Sequence, residues 1–294
     1  MADRPLSVDP LWPRAGNWPA PSGDVDFGLI GVPTSKTSLS ATNAHLTPAA
    51  VRGALRYYSE YFHAADGEPI AFADWGDVED PDEREADAIA AIAQTTARLL
   101  VVLGGDNAAT VPAALGTWGD RIDTAGLITV DAHYDLRDGV SNGSPVRRLL
   151  EAGLDGRRVV QIGISDFANS AEYAARARDH GITVILRDEL ARRPMDDVMA
   201  QALEVASSAG GPVHVDLDVD VCDRSVAPAC PASVPGGISA AELRRAARLA
   251  ARHASVESID LTEVDATADV ADQRTVRLVA LCVLEAAAGL RLRA

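Results

Sequence analysis

The sequence HVDLDVDVCD, residues 214–223, joins a buried strand to a group of carboxylates. Valine and leucine occupy every second position, which is the period of a β-strand, and Asp216, Asp218 and Asp220 occupy the alternate positions. Side chains two residues apart on a strand point to the same face, so the pattern predicts three carboxylates on one face. Such a strand indicates an interior sheet that carries a functional site near its end.

Seven further apolar runs resemble strands, which makes eight with the strand quoted above, and helical patterns separate them. The predicted strands cover residues 26–32, 70–75, 99–104, 125–131, 158–164, 182–187, 212–219 and 256–262. Regular alternation of strand and helix is typical of a parallel sheet with crossover helices. Eight such units form either a closed barrel or an open three-layer sandwich, and the pattern alone leaves both open. Both architectures place the functional site at the carboxyl ends of the strands.

Four amphipathic or apolar segments predict helices, at residues 47–62, 81–99, 239–253 and 274–290. The second begins with acidic residues and ends near Arg98, as the helix dipole favours. The third has Ser239 as N-cap and Glu242 three residues later, which is a capping box. We expect an irregular lead over residues 1–24 and a single domain over residues 25–294.

Composition limits the classes of partner. The chain has 294 residues, 43 acidic and 27 basic side chains and a net charge of −16, which argues against nucleic acid or an anionic membrane as partner. The three cysteines form no C-x-x-C motif, so we expect a reducing cytoplasm. The N-terminal segment lacks the apolar core of a secretory signal, and no apolar run has the length of a membrane span.

A second group of metal-ligand residues follows the fourth strand, in the sequence VDAHYDLRD. Asp131, His133 and Asp135 are again spaced by two. Carboxylates so close together repel each other in a partly dry site, and divalent cations relieve that repulsion. With Asp218 and Asp220, this oxygen-rich set suits Mn²⁺ better than a structural zinc ion. It exceeds what one ion needs, so two ions roughly 3.5 Å apart are expected.

The third strand ends in LGGDNAAT. Gly104 and Gly105 permit a tight turn, and Asp106 and Asn107 begin the next helix. Either polar side chain can cap that helix. The alternative is that one of them reaches the metal ions.

These motifs together resemble the signatures of the ureohydrolase family, which comprises arginases, agmatinases and formimidoylglutamases. The matching pieces are GGDN (104–107), DAHYD (131–135), DVDVCDRSVAPACPASVPGG (218–237) and TEVDAT (262–267). The resemblance extends from about residue 26 to the C-terminus. It implies an α/β/α three-layer sandwich with an eight-stranded parallel sheet, and a centre of two Mn²⁺ ions per chain.

The resemblance also implies roles for individual residues. The implied metal ligands are Asn107, Asp131, His133, Asp135, Asp218 and Asp220. Asp131 and Asp218 would bridge the ions, and Glu263 would hold the amidine nitrogens of the substrate. The family usually has histidine where Asn107 stands, and an amide oxygen is a weaker ligand than imidazole. Asn142 likewise replaces the histidine of an H-G-x-P motif to which proton shuttling is often credited.

GGDN, NGSPVRRLL and APACPA together are similar to one branch of the formimidoylglutamases. This implies hydrolysis of N-formimidoyl-L-glutamate to L-glutamate and formamide by a metal-bridging hydroxide, with Asp135 donating a proton to the leaving amine. One alternative is an agmatinase or guanidino-acid hydrolase of the same family. Another is a catalytically silent relative, which the two asparagines suggest.

The two carboxylates of such a substrate need cationic or hydrogen-bonding partners. Arg147 and Arg148 follow the NGSP motif and are candidates, because guanidinium binds carboxylate with two hydrogen bonds. Asn142 is a further candidate for substrate binding, and Lys36 is a weaker one. The resemblance finally implies a homo-oligomer, a trimer or a hexamer.

Overall fold

The computed structural model describes residues 6–63 and 69–293. Its eight strands form one parallel sheet in the order β2-β1-β3-β8-β7-β4-β5-β6. The strands are β1 (Val25–Val32), β2 (Phe72–Asp77), β3 (Ala97–Gly104), β4 (Gly126–Val130), β5 (Val159–Ile164), β6 (Thr183–Leu186), β7 (Val213–Asp218) and β8 (Val256–Thr262). Since β2 and β6 lie at opposite edges, the sheet is open and the barrel alternative is excluded.

Helices cover both faces of the sheet. They are α1 (Thr47–Leu55), α2 (Glu85–Ala93), α3 (Thr110–Trp118), α4 (Pro145–Glu151), α5 (Ala171–Asp179), α6 (Arg187–Leu190), α7 (Met195–Ala206), α8 (Ala240–Arg252) and α9 (Arg274–Arg291). Helices α1, α7, α8 and α9 pack on one face, and α2, α3, α4 and α5 on the other. The fold is therefore the predicted α/β/α three-layer sandwich. Over the described chain, no helix is both long and apolar enough to cross a membrane.

Strand β7 shows how the sequence pattern fits between the two helical layers. Val213, Val215 and Leu217 enter the larger core with α7, α8 and α9. The alternate residues His214 and Asp216 are also fully buried and face the α3 side of the sheet. A parallel sheet is covered on both faces, so its polar side chains have to find partners inside the protein.

Two helix predictions are wrong at their carboxyl ends. Helix α2 ends at Ala93, and Arg98 lies in β3. The strand begins early because Ala97 pairs with Val25 of β1, and this ladder outweighs the helical pattern. Helix α1 ends at Leu55, well before residue 62. The capping box that begins α8 is confirmed.

The segment before β1 contains no helix or strand over residues 6–24. Trp18 stacks on Phe72 with ring centroids 4.7 Å apart and meets Phe27 edge-on. Its indole nitrogen donates a hydrogen bond to Glu60. Residues 1–5 of the predicted lead lie outside the described residues.

Candidate metal centre

A cavity of about 410 Å³ opens at the carboxyl ends of the sheet. The residues expected to bind metal or substrate follow β3, β8, β7 and β4, which are the four adjacent central strands. Parallel strands direct their carboxyl ends to the same edge of the sheet, so segments far apart in sequence meet there. The cavity size is that of a small-molecule site.

Asp131, His133 and Asp220 form the tightest group of metal-ligand side chains. His133 Nδ1 lies 3.1 Å from Asp220 Oδ2 and 3.4 Å from Asp131 Oδ1. One ligand atom from each of the three lies within 4.8 Å of the others. Asp131 Oδ1 also accepts a hydrogen bond of 2.6 Å from the His133 backbone amide, which fixes the turn after β4. This is the spacing at which three side chains can share one ion.

The carboxylates after β7 do not all lie on the strand. The strand ends at Asp218, and Asp220 lies in the 3-10 turn Val219–Val221. Asp218 Oδ1 accepts a hydrogen bond of 2.8 Å from the Asp220 amide and thereby shapes this turn. The prediction of three carboxylates on one strand face is therefore wrong for Asp220, although the turn still brings it to Asp131 and His133.

Asp216 has a different environment. It lies opposite Asp260 of β8, and both side chains are buried. Burial, and then the charge of Asp260, raise the pKa of Asp216 well above its ordinary value. A protonated Asp216 carries no charge, which removes its repulsion with Asp260, and its Oδ1 accepts from the Thr262 hydroxyl at 3.4 Å.

The chemistry of the donor set fits divalent cations. Asp131 Oδ2 and Asp220 Oδ1 are buried and have no hydrogen-bond partner among the described residues. Buried carboxylate oxygens without partners are rare and costly, and a cation supplies the missing interaction. Burial, then the charge of Asp220, raises the pKa of Asp131 to about 6. Asp131 therefore ionises less readily than an exposed aspartate, and a bound cation would favour its ionised form.

Asp135, Asp218, Glu263 and His133 also have shifted pKa values. Burial, followed by neighbouring carboxylates, raises the pKa of Asp135 and that of Asp218 well above their ordinary values. Burial, Asp220 and Asp106 raise the pKa of Glu263 to about 8. Burial alone would lower the pKa of His133, but Asp220 and Asp131 reverse this and raise it to about 12.

Asn107 contacts the centre through its amide. Its Nδ2 donates to Asp135 Oδ2 at 2.5 Å, while Oδ1 accepts from the hydroxyls of Thr110 at 2.6 Å and Thr262 at 3.2 Å. Both hydroxyls can also accept, so a rotated amide can present its oxygen to the cavity without losing these partners. Asp106 instead caps the turn after β3, accepting from Ala108 N at 3.2 Å.

Glu263 is held from two sides. Its Oε1 accepts hydrogen bonds from Asn107 N at 2.8 Å and from Asn142 Nδ2 at 2.6 Å. Asn142 Oδ1 in turn accepts from Leu39 N at 3.0 Å. Glu263 Oε2 makes no hydrogen bond to a described residue, and the side chain lines the cavity. One oxygen of Glu263 is thus left for a ligand.

Three residues that line the cavity have a left-handed backbone. Asp135 has φ of 52°, and Glu263 and Phe167 have φ of 64°. Such angles are unfavourable for residues other than glycine and concentrate at functional sites. The left-handed backbone of Asp135 adds to the bend at residues 132 and 133 that already follows β4.

The basic residues considered for substrate binding lie elsewhere. Arg147 donates from Nε to Arg137 O at 2.5 Å, pairs with Glu151 at 2.5 Å and also donates to Gly139 O. Arg148 binds Glu85 through two hydrogen bonds of 2.8 and 2.6 Å.

Lys36 is paired with Glu83 at 2.5 Å. None of Lys36, Arg147 and Arg148 lines the cavity.

Arg137 lines the cavity and was missed by sequence reasoning. It follows Asp135 by two residues and so continues the spacing of Asp131, His133 and Asp135. That spacing does not by itself identify Arg137, because the backbone between the two residues is not extended at Asp135.

Comparison with known proteins finds one matching family and several similar structures. The arginase family profile matches residues 25–289. A formimidoylglutamase of Bacillus subtilis is 35% identical over 283 residues, covering 90% of this chain and 87% of that protein. The crystal structure of formimidoylglutamase from Bacillus subtilis superposes with a TM-score of 0.90 at 29% identity, covering 100% of this chain and 96% of that one. A formiminoglutamase of Trypanosoma cruzi with Mn²⁺ has the same fold, with a TM-score of 0.84 at 24% identity and coverage of 96% and 99%.

Proposed function

The chain belongs to the arginase family, and on that premise we propose that it hydrolyses N-formimidoyl-L-glutamate to L-glutamate and formamide. The observation that carries the proposal is the arrangement of the cavity. Asp131, His133 and Asp220 form a group with unpartnered carboxylate oxygens, and Glu263 lines the same cavity with a free oxygen. A water molecule activated beside Asp131, His133 and Asp220 could attack an amidine that Glu263 holds in the same cavity.

We propose that the centre holds two Mn²⁺ ions. The residues proposed as ligands are Asn107, Asp131, His133, Asp135, Asp218 and Asp220. When bound, the ions would neutralise the carboxylates and lower the pKa of water enough to make it a nucleophile near neutral pH. The carboxylate-rich set with one imidazole supports Mn²⁺ over zinc.

Glu263 would orient the substrate. An amidinium group carries N–H donors, and a carboxylate oxygen accepts them in a charge-assisted hydrogen bond. The two contacts of Oε1, to Asn107 N and Asn142 Nδ2, leave Oε2 for this purpose. In this proposal Asn142 positions Glu263, because both polar atoms of its amide already have protein partners.

Asp135 would move the proton. Its Oδ2 accepts from Asn107, and Oδ1 makes no hydrogen bond to a described residue. Water adds to the amidine carbon, and Asp135 Oδ1 takes the proton that the water loses. The bond from that carbon to the glutamate nitrogen then breaks as Asp135 returns the proton to the leaving amine, and the hydroxyl group of the adduct loses its proton to solvent to form the C=O of formamide. Glutamate and formamide are the balanced products.

A substrate panel tests the function. The Mn²⁺-loaded protein is assayed with N-formimidoyl-L-glutamate, 4-guanidinobutyrate and agmatine, and formamide and urea release are measured. We expect kcat/KM for the formimidoyl compound to exceed the others by roughly a hundredfold, because the pocket selects by transition-state binding. Dominant urea release from a guanidino compound would identify a sibling enzyme, and no turnover with less than one Mn²⁺ per chain would identify a silent relative.

A matched pair of variants tests the site itself. Asp218→Ala removes a proposed bridging ligand, so we expect neither activity nor binding of two ions. Asp216→Asn is the control, because Asp216 lies on the same strand beside Asp260 but does not line the cavity, and asparagine has nearly the same size. An active Asp218→Ala protein would contradict the proposed centre.

We also propose a cytoplasmic homo-oligomer, a trimer or a hexamer, with one domain over residues 25–294. Three buried cysteines without disulfides support a reducing compartment. Light scattering coupled to gel filtration measures the assembly, and a monomer at micromolar concentration would count against it.

A further inference from the structure

The charges that line the cavity are unevenly distributed. The inner wall contains four carboxylates together with His133, and that histidine is already paired with acids. The four carboxylates belong to Asp135, Asp218, Asp220 and Glu263. Among the described residues that line the cavity, Arg137 is the sole lysine or arginine. A ligand that reaches from the carboxylates of the inner wall to Arg137 would have to be cationic at one end and anionic at the other.

The guanidinium of Arg137 is available for a ligand. Its side chain forms no hydrogen bond or ion pair with another described residue, and the residue is exposed. This contrasts with Arg147 and Arg148, which are held by Glu151 and Glu85. The chain has 43 acidic residues, yet Arg137, which lies beside an acidic cavity, forms no ion pair with a described one. Its positive charge is therefore left for a ligand.

The backbone around Arg137 holds this side chain at the cavity. Arg137 N donates to Gly143 O at 3.0 Å, and Arg137 O accepts from Arg147 Nε at 2.5 Å. The side chain lies against Gly143, where an added Cβ would be 2.8 Å from Arg137 Cδ. Arg147 therefore contributes to the site indirectly, by fixing the residue that lines it.

We propose that Arg137 binds a carboxylate of the substrate and selects anionic over cationic substrate tails; this rests on the proposed function. Guanidinium presents two parallel N–H donors to a carboxylate, which gives both charge and direction. The amine tail of a compound such as agmatine would face a like charge, which disfavours its binding. The inner wall holds the amidine end of the substrate, and Arg137 holds its carboxylate end.

The first test is a kinetic comparison of Arg137→Gln with the wild-type enzyme. We expect KM for the best anionic substrate to rise roughly ten- to a hundredfold, since a charged hydrogen bond is lost. The loss falls mainly on KM, because in this proposal Arg137 binds the carboxylate tail and not the amidine that reacts. Arg137→Lys keeps the charge without the paired donors and should recover part of the affinity. The control is Arg157→Gln, which changes the net charge equally but at an exposed arginine outside the cavity.

The second test does not depend on turnover. Calorimetry measures binding of L-glutamate, which carries the proposed anionic tail, to the Mn²⁺-loaded wild type and to both Arg137 variants. We expect binding to weaken in Arg137→Gln, with Mn²⁺ content and thermal stability unchanged. Equal affinities in the two proteins, or no glutamate binding by the wild type, would overturn the proposal.

The outcomes separate this inference from the proposed function. If the wild type hydrolyses 4-guanidinobutyrate better than the formimidoyl compound, the proposed function fails, and the Arg137 variants are compared on that anionic substrate. If agmatine is the best substrate, the assignment of Arg137 fails. A KM for the best anionic substrate that does not change in Arg137→Gln would refute the assignment even where the proposed function holds.

Discussion

At the scale of single residues, the proposal that Asn107 is a metal ligand depends on which atom of its amide faces the centre. Its amide contacts Asp135 through nitrogen, and its oxygen lies between two threonine hydroxyls. Because an amide nitrogen of this kind does not bind a cation, the amide has to rotate before it can serve as a ligand. That rotation breaks the hydrogen bond to Asp135 and so opposes metal binding.

We expect Asn107→His to tighten binding of the weaker Mn²⁺ ion by roughly tenfold, since imidazole is the better ligand. Titration with Mn²⁺, followed by calorimetry, compares the two proteins. Asn43→His serves as control, because Asn43 does not line the cavity and its side chain donates to Thr267. Identical affinities for the weaker ion would show that Asn107 is not a ligand.

At the scale of elements, local sequence signals succeed where no long-range pairing competes with them. The capping box of α8 formed as predicted, with Ser239 Oγ accepting from Glu242 N at 3.3 Å and the glutamate accepting from Ser239 N at 2.8 Å. The predicted end of α2 at Arg98 failed because strand β3 starts at Ala97. A strand at the centre of a sheet gains two ladders of hydrogen bonds, which a helix end cannot match.

We expect Ser239→Ala to lower the free energy of unfolding by about 1 kcal/mol, the usual effect of losing an N-cap. Urea unfolding measures this difference. Ser208→Ala is the matched control, because Ser208 is exposed and has no side-chain hydrogen bond to a described residue. An equal effect of the two substitutions would mean that the cap does not stabilise α8.

At the scale of the whole molecule, the buried acids link folding to pH and to metal. The pKa of Asp131 rises from 3.8 to about 6, and that of Glu263 from 4.5 to about 8. A carboxyl with a higher pKa in the folded state binds its proton more tightly there, so its contribution to stability is present at low pH. That contribution is lost as pH rises from about 4 to about 8. The pKa of His133, raised to about 12, continues the same trend above pH 6.5.

We therefore expect the melting temperature of the metal-free protein to fall between pH 5 and pH 8.5. Mn²⁺ should reverse this fall, so the difference between loaded and metal-free protein should grow with pH. Differential scanning calorimetry at several pH values measures both curves. Asp131→Asn, which removes one of these acids, should flatten the metal-free curve. Parallel curves for loaded and metal-free protein would contradict the linkage.

The sequence by itself determined the eight strands, the alternation of strand and helix, and the residue groups at the strand ends. These features are encoded locally, in periodicity and in the chemistry of neighbouring residues. The open sandwich followed from the family resemblance, and strand order confirmed it. Two groups of acids at two predicted strand ends, one of them with His133, were together needed to indicate a metal site.

Only the tertiary structure decided which side chains face the cavity. Asp220 approaches Asp131 through a turn, Asp216 lies beside Asp260 away from the cavity, and Arg137 lines the cavity where Arg147 was expected. The physical reason is that a polar side chain turns to whichever partner the fold brings near it. Arg147 is held by carbonyls of residues 137 and 139, and no local pattern in the sequence encodes the path of that loop.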